Sequence, residues 1–154
     1  MKKIILISFI IALSINAFAQ DVDGMRVDQK MTYAQVVAKF GKPDLYHKVN
    51  DEFGISEDYV YGNNNRLHFE ETGKFKNFVI TESRFAVLTL DIDGGIRVGD
   101  PLSKLDNFKY GKPQYVRTDE DGGEIYLLYP KCDDNVYLVV RDSIIVTIFY
   151  YYPV

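Results

Sequence analysis

Two histidines, His47 and His68, are the side chains of this sequence best suited to proton transfer near neutral pH. In the segment "RLHFE", His68 precedes Glu70 by two positions, so both side chains point to the same side of a strand. A histidine beside a carboxylate can serve as a weak general acid–base pair. We expect His47, which follows a predicted helix, to be solvated. The pair at His68 and Glu70 gives a hydrolase only weak support, and we predict that the chain is not an enzyme.

Other motifs in the sequence could carry chemistry, but each lacks a necessary part. Gly-Lys-Pro occurs twice, whereas a phosphate-binding loop opens a helix and has Ser or Thr after its lysine. Asp-x-Asp-Gly also occurs twice, without the third ligand and the terminal glutamate of a calcium loop. No serine lies in a nucleophile elbow, and no His, Cys and carboxylate cluster has metal-ligand spacing. We therefore expect no cofactor and no metal site.

The two Gly-Lys-Pro copies belong to a longer internal repeat. "KFGKP" at 39–43 returns as "KYGKP" at 109–113, and each copy is preceded by Asp-x-Asp-Gly and then Arg-Val. Ordered matches of this kind indicate a structural unit built twice. We expect one repeat over residues 20–90 and a second over residues 91–154.

Each repeat is predicted to begin with a short helix, over about 32–40 and about 102–110. Thr32 and Gln35 form a capping box, and Ser103 with Asp106 is a weaker version of that pair. Apolar residues recur at helical spacing in both segments. Gly41 and its counterpart Gly111 lie where a left-handed C-terminal cap would fall.

Runs rich in Tyr, Val, Ile and Phe follow each predicted helix and alternate with turn sequences such as "GNNN" and "KCDDN". These runs predict antiparallel strands at 58–62, 66–70, 74–82, 84–90, 114–118, 124–130, 135–141 and 143–152. The predicted fold class is α+β: two tandem helix-plus-antiparallel-meander repeats, with three or four strands each, that form one sheet with the helices on one face.

The helix opened by "GMRV" and "MTYAQV" and closed by "FGKP" resembles the small lipoprotein of the outer-membrane β-barrel assembly machinery. The tandem arrangement resembles the family of the β-lactamase inhibitor protein, in which two helix-plus-meander repeats share one sheet. The resemblance implies a secreted or periplasmic binding module. The lipoprotein has an acylated cysteine where this chain has Gln20, and the inhibitor has disulfides that a single cysteine cannot form.

Strand alternation assigns side chains to the two faces of the predicted sheet. Leu67, Phe69, Val136 and Leu138 are expected on the helix side, as are Ile144, Val146 and Ile148. Val139, Arg141, Ile145, Thr147 and Lys76 are expected on the open face. An aromatic and apolar open face is typical of a protein-binding surface. The candidate protein-binding residues on it are His68, Phe78, Ile80, Tyr137, Phe149 and Tyr151.

The amino terminus is expected to direct export. Lys2 and Lys3 precede an apolar run from Ile4 to Leu13, and Ala17-Phe18-Ala19 is a small-x-small cleavage site. The run is about half the length that spans a bilayer. We expect a cleaved signal peptide over residues 1–19 and a periplasmic or extracellular protein with no membrane segment after cleavage.

Charge and cysteine content narrow the expected partners. The formal net charge is −4, and loss of the two leader lysines makes it −6. An acidic chain argues against nucleic acid and anionic lipid. Cys132 is the only cysteine, so an internal disulfide is excluded. Because Cys132 lies far from the cleavage site, we also expect no lipid anchor. We expect a non-enzymatic module that binds another protein, with inhibition as one form of that binding. A self-associating envelope component, and so a homo-oligomer, is the alternative.

Overall fold

The computed structural model describes residues 21–52, 54–70, 72–89, 92–108, 111–128 and 136–150. Within these ranges the chain is mainly β, with one α-helix, α1 (Tyr33–Phe40), and one 3-10 helix (Leu102–Leu105). None of the described helices is long and apolar enough to cross a membrane. The prediction of an α+β protein made of two helix-plus-meander repeats is therefore wrong.

The described residues form twelve strands in two antiparallel sheets. The smaller sheet has the order β2-β1-β7-β8, and the larger sheet has the order β3-β4-β5-β6-β12-β11-β10-β9. In chain order the strands are β1 (Asp21–Val22), β2 (Met25–Arg26), β3 (Leu45–Asp51), β4 (Gly54–Tyr61), β5 (Asn65–Glu70), β6 (Phe75–Ile80), β7 (Val87–Thr89), β8 (Ile92–Ile96), β9 (Gln114–Thr118), β10 (Glu124–Leu127), β11 (Val136–Arg141) and β12 (Ile144–Tyr150).

The predicted first helix is confirmed, and so are its N-terminal capping box and its terminal glycine, although the ψ of 177° at Gly41 is not that of the expected left-handed cap. The Thr32 side chain accepts a hydrogen bond from the Gln35 backbone, and the Gln35 side chain accepts one from the Thr32 backbone N–H at 2.8 Å. Gly41 ends the helix with a positive φ of 86°, which glycine adopts without strain. Val36 and Phe40 are the buried residues of α1. The capping box and the terminal glycine therefore place this helix correctly.

The predicted second helix at 102–110 is wrong. Only Leu102–Leu105 is helical, as a 3-10 turn without a side-chain cap, and Lys109 and Tyr110 lie outside the described residues. The segment before it is held by the start of β12: Ile145 N–H donates to the Asp100 carbonyl, and Leu102 N–H donates to the Ser143 carbonyl. Asp106, a residue that disfavours helix interiors, follows immediately. Strand pairing thus holds the start of this segment, and the helical turn that follows ends at Leu105.

One hydrophobic core lies on one face of the eight-stranded sheet, beneath α1, the 3-10 helix and the smaller sheet. Large aromatic side chains dominate the part of this core that β4, β5 and β6 contribute, where Phe69, Phe75 and Phe78 are almost fully buried. The buried members from the covering layer are Val22, Met25, Val36, Phe40, Phe85, Val87, Ile96, Leu105 and Phe108. The other face of the sheet contributes no residue to this cluster, and we call it the open face.

Asn65 is the one buried polar residue in the described part of the chain. Its side-chain nitrogen donates to the Tyr61 carbonyl and to Glu82, and its side-chain oxygen accepts from the Thr81 and Glu82 N–H groups. A buried amide is stable only when its polar atoms have partners. These bonds tie the β4–β5 turn to the end of β6.

Two bulges in the middle of the sheet change which face the neighbouring side chains point to. β6 has one extra residue, Lys76, opposite the His68–Phe69 step of β5. β12 has one extra residue, Val146, opposite the Val139–Val140 step of β11. A bulge interrupts the two-residue alternation of side chains. Strict alternation therefore fails as a guide to burial along both strands.

Candidate functional site

The candidate site is the open face of the eight-stranded sheet. Directly paired residues on neighbouring strands project to the same face, so the strand registers define rows of side chains across it. One row crosses all eight strands, and we call it the central row. In spatial order it consists of Leu45, Val60, Arg66, Val79, Phe149, Tyr137, Leu127 and Gln114.

Tyr137 and Phe149 form the centre of this row. Their rings stack with centroids 5.1 Å apart and an angle of 17° between the ring planes. Both side chains are half-buried although neither belongs to the core cluster. Stacked aromatic rings present a rigid apolar surface at low entropic cost. Such a surface suits contact with another apolar side chain.

A shallow hollow of about 260 Å³ lies beside the stacked pair. Val116, Arg117 and Ile125 complete its wall, and the Ile125 side chain is only 7% exposed although it faces away from the core. Ile125 owes this burial to its neighbours on the open face, since it pairs directly with Val139 and Arg117. The hollow therefore has an apolar floor and a cationic rim.

Two arginines of the open face form no ion pair with a described residue, although the charge of Arg66 helps to lower the pKa of Asp58. Arg66 lies in the central row and Arg117 at the rim of the hollow, and both side chains are exposed. Neither forms an ion pair or hydrogen bond with any residue that the structure describes. An exposed guanidinium without a partner keeps its donors available for a carboxylate. The open face thus offers positive charge next to aromatic surface on a chain that is acidic overall.

His68 is half-buried on the open face, but its partner differs from the predicted one. Its Nδ1 lies 2.7 Å from Oδ1 of Asp58, the residue directly opposite on β4. Oε1 of Glu70 instead lies 3.4 Å from Nζ of Lys76. The hydrogen bond from His68 holds the pKa of Asp58 below its usual range, despite the opposing effect of burial. The predicted pair of His68 with Glu70 is wrong.

A second cleft, of about 450 Å³, lies at the end of the face that carries His68. Lys76 crosses its wall and forms ion pairs with Asp28 at 2.8 Å and with Glu70 at 3.4 Å. The hydrogen bond to Asp28 raises the pKa of Lys76. Among the described residues, no group of three or more His, Cys, Asp or Glu side chains could hold a metal ion. The charged side chains Lys76, Asp28 and Glu70 of this cleft are thus paired with one another.

The structure separates the predicted binding residues into three groups. Tyr137, Phe149 and His68 lie on the open face as expected. Tyr151 lies outside the described residues. Phe78 and Ile80 are fully buried on the opposite face, so their assignment to the binding surface is wrong. Phe78 pairs with Leu67 and therefore shares its face.

Side chains at the start of β12 were also assigned to the wrong face of the sheet. Ile145, predicted on the open face, is fully buried, and Ile144, predicted in the core, is 38% exposed. Val146, also predicted in the core, is the half-buried extra residue of the bulge. A shift of one residue exchanges the two faces of a strand. The bulge supplies that shift.

Several residues of the open face were missed from the sequence. β3 was not predicted, although "LYHKV" follows Gly-Lys-Pro just as the predicted strand "QYVRT" does in the second copy. The equivalence of the two segments was the available signal, and it would have added Leu45, His47 and Val49 to the sheet. Val79 and Ile125 were missed because their facing depends on strand register.

Comparison of the chain with protein-family models, with curated proteins and with solved structures gave no match in any of the three.

Proposed function

We propose that this chain is an exported, non-enzymatic protein-binding module that uses the open face of its eight-stranded sheet. The observation that carries the proposal is the stacked pair Tyr137 and Phe149 at the centre of a row that crosses the whole sheet. Contiguous exposed apolar surface marks interaction sites, and aromatic residues with arginine dominate their energetics. Inhibition of an enzyme is one form that such binding could take.

The unpaired arginines favour a particular kind of partner. Arg117 stands beside the hollow, and Arg66 stands in the same row as the stacked rings. Complementary charge directs association and selects partners. We therefore expect the partner to present an apolar or aromatic side chain flanked by Asp or Glu, the first to fill the hollow and the second to meet the guanidinium groups.

Selection from a displayed random-peptide library against the purified mature protein tests this proposal. We expect enrichment of peptides that combine an aromatic or large apolar residue with neighbouring acidic residues. Titration of an enriched synthetic peptide should show a loss of at least about tenfold in affinity in Phe149→Ala, equivalent to about 1.4 kcal/mol. Arg117→Glu should weaken the same peptide at least as much, because it reverses the charge at the rim.

Tyr115→Ala is the matched control for these variants. Tyr115 is 51% exposed and pairs with Tyr126, whose cross-strand partner Leu138 belongs to the core face, so it lies on the side opposite the hollow. The peptide should bind this variant as it binds the unaltered protein. Selection of peptides without acidic residues, or equal binding to all three variants, would refute the proposed surface.

A further inference from the structure

The two edges of the eight-stranded sheet differ in how they are protected. Strand edges carry unpaired backbone N–H and C=O groups, and proteins shield them by shortness, bulges, proline or charge. β9 has five residues, a bulge at Val116 and the unpaired Arg117. β3 has seven residues and pairs with β4 without a register shift. By these criteria β9 is protected and β3 is not.

The single lysine of β3 does not shield its edge. Lys48 Nζ lies 3.0 Å from Glu57 Oε1, on the neighbouring strand β4, so its charge is directed into the sheet. Leu45 is 49% exposed, Tyr46 37% and Val49 44%. The ring of Tyr33 on α1 stands edge-on to Tyr46 at 5.2 Å and widens the apolar surface next to the strand. β3 therefore has an outer edge with which no described strand pairs, and exposed apolar side chains on both faces.

The order of residues along β3 makes this edge self-complementary. In an antiparallel pair of two identical strands centred on His47, Leu45 of each copy faces Val49 of the other, and Tyr46 faces Lys48. The first pair is apolar, and the second brings no like charges together. Centring on any residue keeps the open faces of both copies on the same side, because paired residues share a face.

Neighbouring registers are less favourable. Centring on Lys48 places the two lysines opposite each other, and like charges directly opposite destabilise a strand pair. Centring on Tyr46 brings Pro43, which has no backbone N–H, opposite Val49. The register centred on His47 alone among these pairs Leu45 with Val49.

We propose that β3 pairs antiparallel with β3 of a second copy of this chain, about a twofold axis at His47. The pairing joins two eight-stranded sheets into one continuous sheet and places their open faces side by side. The central row begins at Leu45, so the rows of the two copies meet across the new strand pair. The proposal concerns the sheet edge and does not depend on the binding function of the open face.

Analytical ultracentrifugation of the purified mature protein tests this dimer without any partner. The fraction of protein with twice the monomer mass should increase with protein concentration. Val49→Lys should abolish the dimer, because it puts a charge opposite Leu45 of the second copy. Val116→Lys is the matched control: Val116 is equally a valine on an edge strand and is 48% exposed, and this variant should dimerise as the unaltered protein does.

A disulfide test determines the register. In a Cys132→Ser background, His47→Cys brings two thiols together at the twofold axis, where paired Cα atoms are about 4.5–5.5 Å apart, within the range that a disulfide spans. Mild oxidation should convert this variant to a covalent dimer, and Val116→Cys in the same background should stay monomeric. A protein that is monomeric at every concentration would overturn the proposal, as would a dimer that persists in Val49→Lys or a cross-link that forms equally at both positions.

Discussion

His68 shows how sheet register decides which charged side chains meet. Residues two apart along one strand are separated by about 6.6 Å, whereas directly opposite residues on antiparallel strands are about 4.5–5.5 Å apart. Asp58 is directly opposite His68, so it becomes the partner in preference to Glu70. Glu70 in turn lies near Lys76, the extra residue of the β6 bulge. A pair that looks local in sequence is thereby exchanged for two cross-strand pairs.

The lowered pKa of Asp58 predicts a dependence of stability on pH. Because the folded protein binds this proton more weakly than the unfolded chain, Asp58 contributes stability above the unfolded carboxyl pKa of about 3.9. That contribution is lost as the pH falls through the lower pKa of the folded state. In His68→Val we expect the pKa of Asp58, followed by carboxyl NMR, to rise, and the part of the acid-dependent loss of stability that Asp58 supplies to become smaller.

His47→Val is the control for this measurement. His47 is also directly opposite Asp58, from the other side, but it contributes least among the groups that lower the pKa of Asp58. We expect a much smaller rise in this variant. An Asp58 pKa that stays the same in His68→Val would contradict the assigned hydrogen bond.

At the scale of single elements, α1 and the 3-10 helix show that similar sequences can form different structures. α1 has a complete capping box, and at its C-terminus the Arg84 guanidinium donates to the Phe40 carbonyl and stacks over Tyr61 at 5.1 Å. The Tyr61 hydroxyl donates to the Gly41 carbonyl, and burial raises the pKa of Tyr61 to about 12. The hydrogen bonds that end this helix thus come from the sheet and from the segment before β7.

Removal of one hydroxyl from each segment, at Thr32 and at Ser103, should distinguish the capped helix from the uncapped 3-10 helix. Thr32→Ala removes the cap of α1 and should lower the free energy of unfolding by about 1 kcal/mol. Ser103→Ala removes no cap, since the 3-10 helix has no side-chain capping bond, and should change stability by less than about 0.5 kcal/mol. Urea unfolding of both variants measures the difference. Equal losses would mean that Ser103 caps a helix as the repeat predicted.

At the scale of the whole molecule, one sheet separates a covered face from an open one. The smaller sheet, α1 and the 3-10 helix lie over the first face, and all residues of the core cluster belong to that side. Neighbouring phenylalanines therefore have different roles: Phe78 is fully buried, and Phe149 is half-exposed on the open face. The assignment of Phe78 to the open face, beside Phe149, was the main error of the sequence-based surface.

Truncation of each phenylalanine distinguishes the two faces. Phe78→Ala leaves a cavity in the core and should lower the free energy of unfolding by about 3–5 kcal/mol. Phe149→Ala leaves no enclosed cavity and should cost less than half as much in the same urea experiment. If both variants lost the same stability, the open face would have to be covered in the folded protein.

Features that depend on a few consecutive residues were accessible from the sequence. The capping box of Thr32 and Gln35, the positive φ of Gly41 and most strand positions follow from interactions within one helical turn or from alternation along one strand. The Asp-x-Asp-Gly segment at Asp21–Gly24 is likewise a local feature, a tight turn in which Asp21 accepts a hydrogen bond from Gly24 N–H at 2.8 Å. No distant contact is needed to specify any of them.

Features that depend on which distant segments meet were not accessible in the same way. The expected second helix is reduced to a 3-10 turn next to the pairing of residues 99–102 with the start of β12, and the burial of Phe78 follows from its position opposite Leu67. Bulges at Lys76 and Val146 shift side chains between faces and have no clear signal along the chain. Local propensity therefore set α1 and most strands of this protein, while strand register and the covering layer set which side chains became core and which became surface.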